Sequence, residues 1–241
     1  MIDTQVIAHR GARRQAPENT VGAFVVARRL GADGVELDVH RTADDRLVVH
    51  HDAEEPSLGV LAHRTLAEIQ AVRSDVPELD AVLDVCVGLL VNVEIKNSVG
   101  DEDHDPTCRA ADLLAQRLAD RGGVDVVLVS SSDLATIDRV KVLAPDLPTG
   151  LLTVGADPLV ALETARRHGH QALHPDAWSL ADGAAAPLVQ AAREVGVLVN
   201  TWTVNEADYM VELAEAGVDG LITDVPDIAL TALGREPGPP G

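Results

Sequence analysis

Aromatic residues are nearly absent. The 241-residue chain holds one Phe, one Tyr and two Trp. Apolar residues still make up 46% of it, so a sizeable core must be built from Leu, Val, Ile and Ala. Cysteine is equally scarce: Cys86 and Cys108 are too far apart for a CxxC motif and are expected to be reduced and buried. Long apolar runs are missing, and none approaches the ~18 residues of a membrane span. The opening "MIDTQVIAHR" lacks the basic head and apolar stretch of a secretory signal. Positive charge is short as well, with 19 Lys and Arg against 39 Asp and Glu and a formal net charge of −20. Such a chain repels nucleic acid and anionic membrane surfaces. The expectation is a cytoplasmic protein with no nucleic-acid partner and no membrane insertion. An anionic small molecule stays open wherever a local cation reverses the field.

What is present is a repeating alternation. Short apolar runs ("QVIA", "GVELDV", "LVVHH", "LLVNVEIK", "VDVVLVS", "TGLLTV", "QALHP", "VLVNTWTV", "VDGLITD") are separated mostly by helical segments. Those segments include "VGAFVVARRLG", "RAADLLAQRLADRG", "LATIDRVKVLA", "PLVALETARRHG", "AAPLVQAAREVG" and "EADYMVELAEAG". Several end in Gly, the usual residue just past a helix. Strand–helix alternation predicts a parallel sheet with helices outside. One junction, "GVELDVHRTADDRLVVHHD", has no helix, and its linker is too short for a parallel crossover. "LVVHH" is therefore the return limb of an antiparallel hairpin. The other eight runs predict a (β/α)8 TIM barrel with a β-hairpin excursion after strand two. The catalytic barrel is expected over residues 1–233, and the Pro/Gly-rich tail 234–241 is expected to be disordered.

Active sites of such barrels lie at the C-terminal ends of the strands. Strand one ends in His9 and Arg10. Strand two carries Glu36 and Asp38, and "VEIK" carries Glu94 and Lys96. Each pair has i, i+2 spacing and points to one face. If the hairpin turns between Asp44 and Asp45, Asp38 faces His51, and His51 joins that face. A one-residue slip would bring His50 instead. Three clustered carboxylates raise one another's pKa values unless a cation binds between them. All-oxygen donors suit Mg²⁺ or Ca²⁺. With Arg10 and Lys96 beside it, such a cation makes a phosphate site. Two histidines there form a general acid and a general base. Together these groups describe phosphodiester cleavage.

The motifs "AHRG", "PENT", "GADGVELDV", "T.D..LVVHHD", "VEIK", "TWTVN" and "GVDGLITDVPD" span nearly the whole chain. In them the sequence resembles the glycerophosphodiester phosphodiesterases. The resemblance implies His9 and His51 as the acid/base pair and Glu36, Asp38 and Glu94 as metal ligands. It implies phosphate contacts from Arg10 and Lys96. It further implies attack by the adjacent glycerol hydroxyl, a cyclic phosphate, and release of glycerol phosphate and an alcohol. The chain departs from the family pattern in having "SSSD" at Ser130–Asp133, where a Phe is usual, and "DD" at the hairpin turn.

Other residues carry a structural reading beside a functional one. In "PENT", Asn19 or Thr20 should cap the first helix, and Glu18 should support the site from behind. Trp202 is expected to wall the substrate pocket. Asn205 is read as a helix cap and Asp224 as closing the barrel. His40, His50, His63 and His104 are read as solvent-facing or structural. Two other functions fit the same pocket. One is a phospholipase-D-like or lysophospholipid-directed enzyme, against which counts the lack of an interfacial basic helix. The other is a non-catalytic phosphodiester-binding protein.

Overall fold

The computed structural model describes residues 4–123 and 126–239. Strand β1 (Gln5–His9) is followed by helix α1 (Val21–Leu30) and strand β2 (Gly34–Arg41). The chain then makes its excursion: β3 (Leu47–Val49), the two-residue strands β4 (Glu54–Glu55) and β5 (Gly59–Val60), and helices α2 (Leu66–Val72) and α3 (Leu79–Val85). Regular alternation resumes with β6 (Leu90–Ile95), α4 (Arg109–Asp120), β7 (Val126–Ser131), α5 (Leu134–Leu143), β8 (Thr149–Thr153) and α6 (Pro158–His168). It finishes with β9 (Ala172–Pro175), α7 (Ala185–Val195), β10 (Leu198–Thr201), α8 (Ala207–Ala216), β11 (Gly220–Thr223) and α9 (Pro226–Ala232).

Eight strands pair in parallel in the order β1-β11-β10-β9-β8-β7-β6-β2, and β2 pairs back to β1. The barrel is closed, so the eight-strand expectation holds. Its strands read as near-continuous apolar runs because helices cover them outside. The single Phe, Phe24 of α1, is fully buried in the core between helices and barrel. Cys86 and Cys108 are both buried, as expected. Helices α1, α6, α7 and α8 end on Gly31, Gly169, Gly196 and Gly217, all in left-handed backbone.

The excursion has its own small core of Val48, Leu58, Leu61, Ile69 and Val76. Its hairpin differs from the expected register by one residue. Val39 pairs Val49, His40 pairs Val48 and Arg41 pairs Leu47. The cause is a three-residue loop, Ala43-Asp44-Asp45, in place of a two-residue turn. The Asp45 amide donates to the Thr42 carbonyl at 3.1 Å, and Asp45 itself is left-handed with φ 57°. A turn followed by one left-handed residue is the common three-residue hairpin.

Two further elements escape the sequence pattern: the short β4–β5 pair and helix α9, which opens on Pro226. Residues 234–239 of the tail carry contacts. Arg235 pairs with Asp33 at 2.6 Å, and the Gly238 amide donates to the Leu30 carbonyl at 2.9 Å.

Candidate active site

The site forms where β1, β2 and β6 end. Parallel register sets His9 beside Glu36 and Asp38 beside Glu94. Register neighbours share a face, so these four side chains enter the barrel mouth together. Glu36, Asp38 and Glu94 each bring one carboxylate oxygen within 4.8 Å of the others. Glu36 and Asp38 are almost fully buried.

Two cations face this group. Lys96 Nζ lies 3.2 Å from Glu94 and 3.7 Å from Asp38. Arg10 Nε lies 3.2 Å from Asp38 Oδ2, and the Arg10 backbone amide donates to Glu36 Oε2 at 2.9 Å. That amide can point inward because Arg10 turns into left-handed backbone, φ 55°. Asn19, φ 56°, does the same and donates from Nδ2 to Asp38 Oδ2 at 2.9 Å. Two non-glycine residues in this region cost on the order of 1 kcal/mol each. Both contact Asp38, so the strain is held where the chemistry needs fixed donors. Thr20, not Asn19, caps α1, accepting from the Ala23 amide.

The electrostatics follow from burial and charge. Burial, then the Asp38 and Glu94 charges, push Glu36 well above the usual carboxylate range. Burial and Asp38 push Glu94 up to about 6 despite Lys96. Asp38 is also raised by burial, but Lys96, Arg10 and His51 outweigh that and hold it below its ordinary value. Glu36 Oε1 is buried with no hydrogen-bond partner. Crowded carboxylates, an orphan oxygen and hard donors fit a divalent cation.

Both histidines are anchored in the same way. His9 Nδ1 is 2.7 Å from Asp224 Oδ1, and His51 Nδ1 is 2.7 Å from Asp52 Oδ1. An ionised carboxylate accepts only, so Nδ1 carries the hydrogen and Nε2 is the free nitrogen. Burial raises Asp224, but the His9 and Asn205 hydrogen bonds and the Arg13 charge outweigh it and leave Asp224 at about 2. His9 Nε2 stands 3.9 Å from Glu36. Burial lowers His51, with Lys96 and Arg10 adding to the effect against Asp38.

His51 reaches the site although the register is shifted. β3 stops at Val49, and the residues beyond it leave the strand's alternation. The His50 amide donates to the Asp38 carbonyl, while the His50 ring turns away to the Asp52 carbonyl. His51 is then the ring whose charge acts on Asp38. His40 is structural: it is buried, with Nδ1 on Asp103 and Nε2 on the His51 carbonyl.

Glu18 lies 2.9 Å from Arg10 Nη1 and also pairs with Arg13. Trp202 follows β10, its Nε1 donating to the His174 carbonyl at 3.0 Å. Asp133 caps α5, and Ser130 lies inward beside Glu94 with a buried, unpartnered hydroxyl.

Asp224 and Asn205 have more to do than expected. Asn205 does not cap α8, which starts after Glu206. Its Nδ2 donates to Asp224 Oδ2 at 2.9 Å, and its Oδ1 accepts from the Asp224 amide. The result is a chain from Asn205 through Asp224 to His9. Its only sequence signal is that "TVN" and "ITD" both fall at predicted strand ends.

A closed barrel with buried carboxylates, paired cations and two aspartate-anchored histidines at its mouth defines an anion-handling hydrolase. The family model for the "Glycerophosphoryl diester phosphodiesterase family" matches residues 9–228, and the chain belongs to this family. It is 33% identical to a glycerophosphodiester phosphodiesterase of Caldanaerobacter subterraneus subsp. tengcongensis, over 94% of this chain and 96% of that one. It is 30% identical to the protein of that name from Bacillus altitudinis, over 94% and 97% of the two chains. A solved structure of a glycerophosphodiester phosphodiesterase from Parabacteroides distasonis superposes with a TM-score of 0.83 at 25% identity, covering 96% of this chain and 97% of that one.

Proposed function

We propose that this protein hydrolyses glycerophosphodiesters to glycerol 3-phosphate and an alcohol, using a divalent cation, Mg²⁺ or Ca²⁺. One observation carries this reading: two histidines, each fixed by an aspartate, flank three clustered carboxylates and two cations. Glu36, Asp38 and Glu94 would hold the ion. The bound ion would supply positive charge against the phosphoryl oxygens.

The chain's own residues do the rest. Arg10 and Lys96 bind the remaining phosphate charge and orient phosphorus. One histidine takes the proton of the adjacent glycerol hydroxyl at Nε2 as that oxygen bonds to phosphorus. The other, an imidazolium with both ring nitrogens protonated, gives its Nε2 proton to the leaving alcohol oxygen as the P–O bond breaks. Water then opens the cyclic phosphate with the two roles exchanged. Asp224 and Asp52 keep each Nε2 aimed inward. The leaving alcohol departs through a cleft of about 390 Å³ lined by His51, Lys96, Asp52 and Glu54. Trp202 covers the apolar edge of the glycerol or the alcohol.

Release of glycerol 3-phosphate from glycerophosphocholine should fall by about 10²–10⁴-fold in His9→Ala and in His51→Ala. Full activity in both variants would overturn the assignment.

A further inference from the structure

A second constellation lies at the opposite end of the barrel. Asp138 comes from α5, His168 ends α6, and His170 sits just before β9. One donor atom from each lies within 4.8 Å of the others. His168 Nδ1 is 2.9 Å from Asp138 Oδ2, and His170 Nε2 is 3.3 Å from Asp138 Oδ1. The rings of His168 and His170 lie nearly parallel, 13° apart, with centroids 6.1 Å apart. None of these residues touches the site at the strand C-termini.

We infer that Asp138, His168 and His170 form a second metal site, one for a zinc-type ion. The His170 side chain is fully buried, and its Nε2 has no hydrogen-bond partner. Its orientation is fixed from behind: Nδ1 is 2.9 Å from Thr149 Oγ1, and that hydroxyl reaches Gln171 Oε1 at 3.5 Å. The Thr149 hydroxyl can accept from Nδ1 or donate to it. When it accepts, Nε2 presents its lone pair toward the Asp138 carboxylate 3.3 Å away, and a cation held between them is coordinated by both. Metal-bound histidines have just this kind of supporting contact on their second nitrogen.

Two imidazoles and one carboxylate are a donor set for Zn²⁺ or Co²⁺ rather than Mg²⁺ or Ca²⁺. Tetrahedral bonds of about 2.0–2.2 Å need donors about 3.3–3.5 Å apart. His168 stands 2.9 Å from one Asp138 oxygen and His170 stands 3.3 Å from the other, so small side-chain shifts bring the three ligands to that spacing. Water would complete the fourth position. Lys141, three residues along α5, acts electrostatically on the same histidine and would lower the affinity without blocking a ligand. The ion would tie α5 to the end of α6 and the entry to β9, stabilising the fold by mass action.

The test is a Co²⁺ titration of the full chain, free of any polyhistidine tag, with Ca²⁺ saturating the oxygen-donor site. Wild type should bind one Co²⁺ with the intense visible bands of a four-coordinate centre. His168→Ala and Asp138→Asn should bind it at least ~10–100-fold more weakly. His168 is partly exposed at a helix end, so its replacement leaves the core intact. Glu94→Gln should leave the bands unchanged. Absence of such bands in wild type, their persistence in both variants, or their loss in Glu94→Gln would each overturn the site. In that case the cluster is a His–Asp ion pair only.

Discussion

At the residue scale, the most informative contact is between His9 and Asp224, which are 215 positions apart. The carboxylate fixes which nitrogen of His9 faces the substrate. In Asp224→Asn the amide can donate to Nδ1 and leave the hydrogen on Nε2. We expect turnover to fall about 10²–10⁴-fold, as when a histidine base is held in the wrong tautomer. The same change has a signature in stability. Asp224 is at about 2 in the folded protein, below the ~3.9 of an unfolded aspartate. The folded state therefore binds fewer protons. Its extra stability is full above about pH 4 and is lost as pH falls toward 2. Urea unfolding at about pH 5 and about pH 2.5 should show a stability drop about 2 kcal/mol smaller in Asp224→Asn than in wild type. Equal drops would contradict the ion pair. The ExD and ExK pairs were legible in the sequence because alternation alone puts i and i+2 on one face. Asp224 was not, because no local pattern records which strand end meets which.

At the scale of elements, side-chain room inside the barrel is set by which strands leave a gap. His174 of β9 is fully buried among the strands, and Asn200 donates to its Nε2 at 3.1 Å. Gly150 of β8 leaves it space: a Cβ there would stand 2.9 Å from His174 Nε2 and 3.3 Å from the Ala172 methyl. Gly150→Ala should cost about 1–3 kcal/mol, read as a lowered Tm. The loss should be non-additive with His174→Ala, since the clash needs both side chains. Additive losses would show that Gly150 is not shaped by His174. All nine strand runs were readable, because apolar runs bounded by glycine-ended helices are a strong pattern. The hairpin register was not, since Asp44-Asp45 reads equally as a two-residue turn or as part of a three-residue one. Helix α9 was hidden because Pro226 and Asp227 look like a turn, although Pro is favoured at the first helical position.

At the scale of the molecule, a chain of net charge −20 carries Arg10, Arg13 and Lys96 at one barrel mouth. Those cations are neutralised by neighbouring carboxylates, so protein charge alone does not make the mouth attractive to a phosphodiester. A bound divalent cation changes that balance, and the account therefore stands on metal dependence. No helix among the described residues is long and apolar enough to cross a membrane. The barrel class was legible from strand count and one impossible crossover. Its closure through β1–β2 and β1–β11 became visible only in three dimensions. The most direct measurement is release of glycerol 3-phosphate from glycerophosphocholine by chelator-treated protein, before and after addition of Mg²⁺ or Ca²⁺. The account predicts no release after chelation and recovery with at least one of the two ions. Undiminished release after complete removal of metal would contradict it.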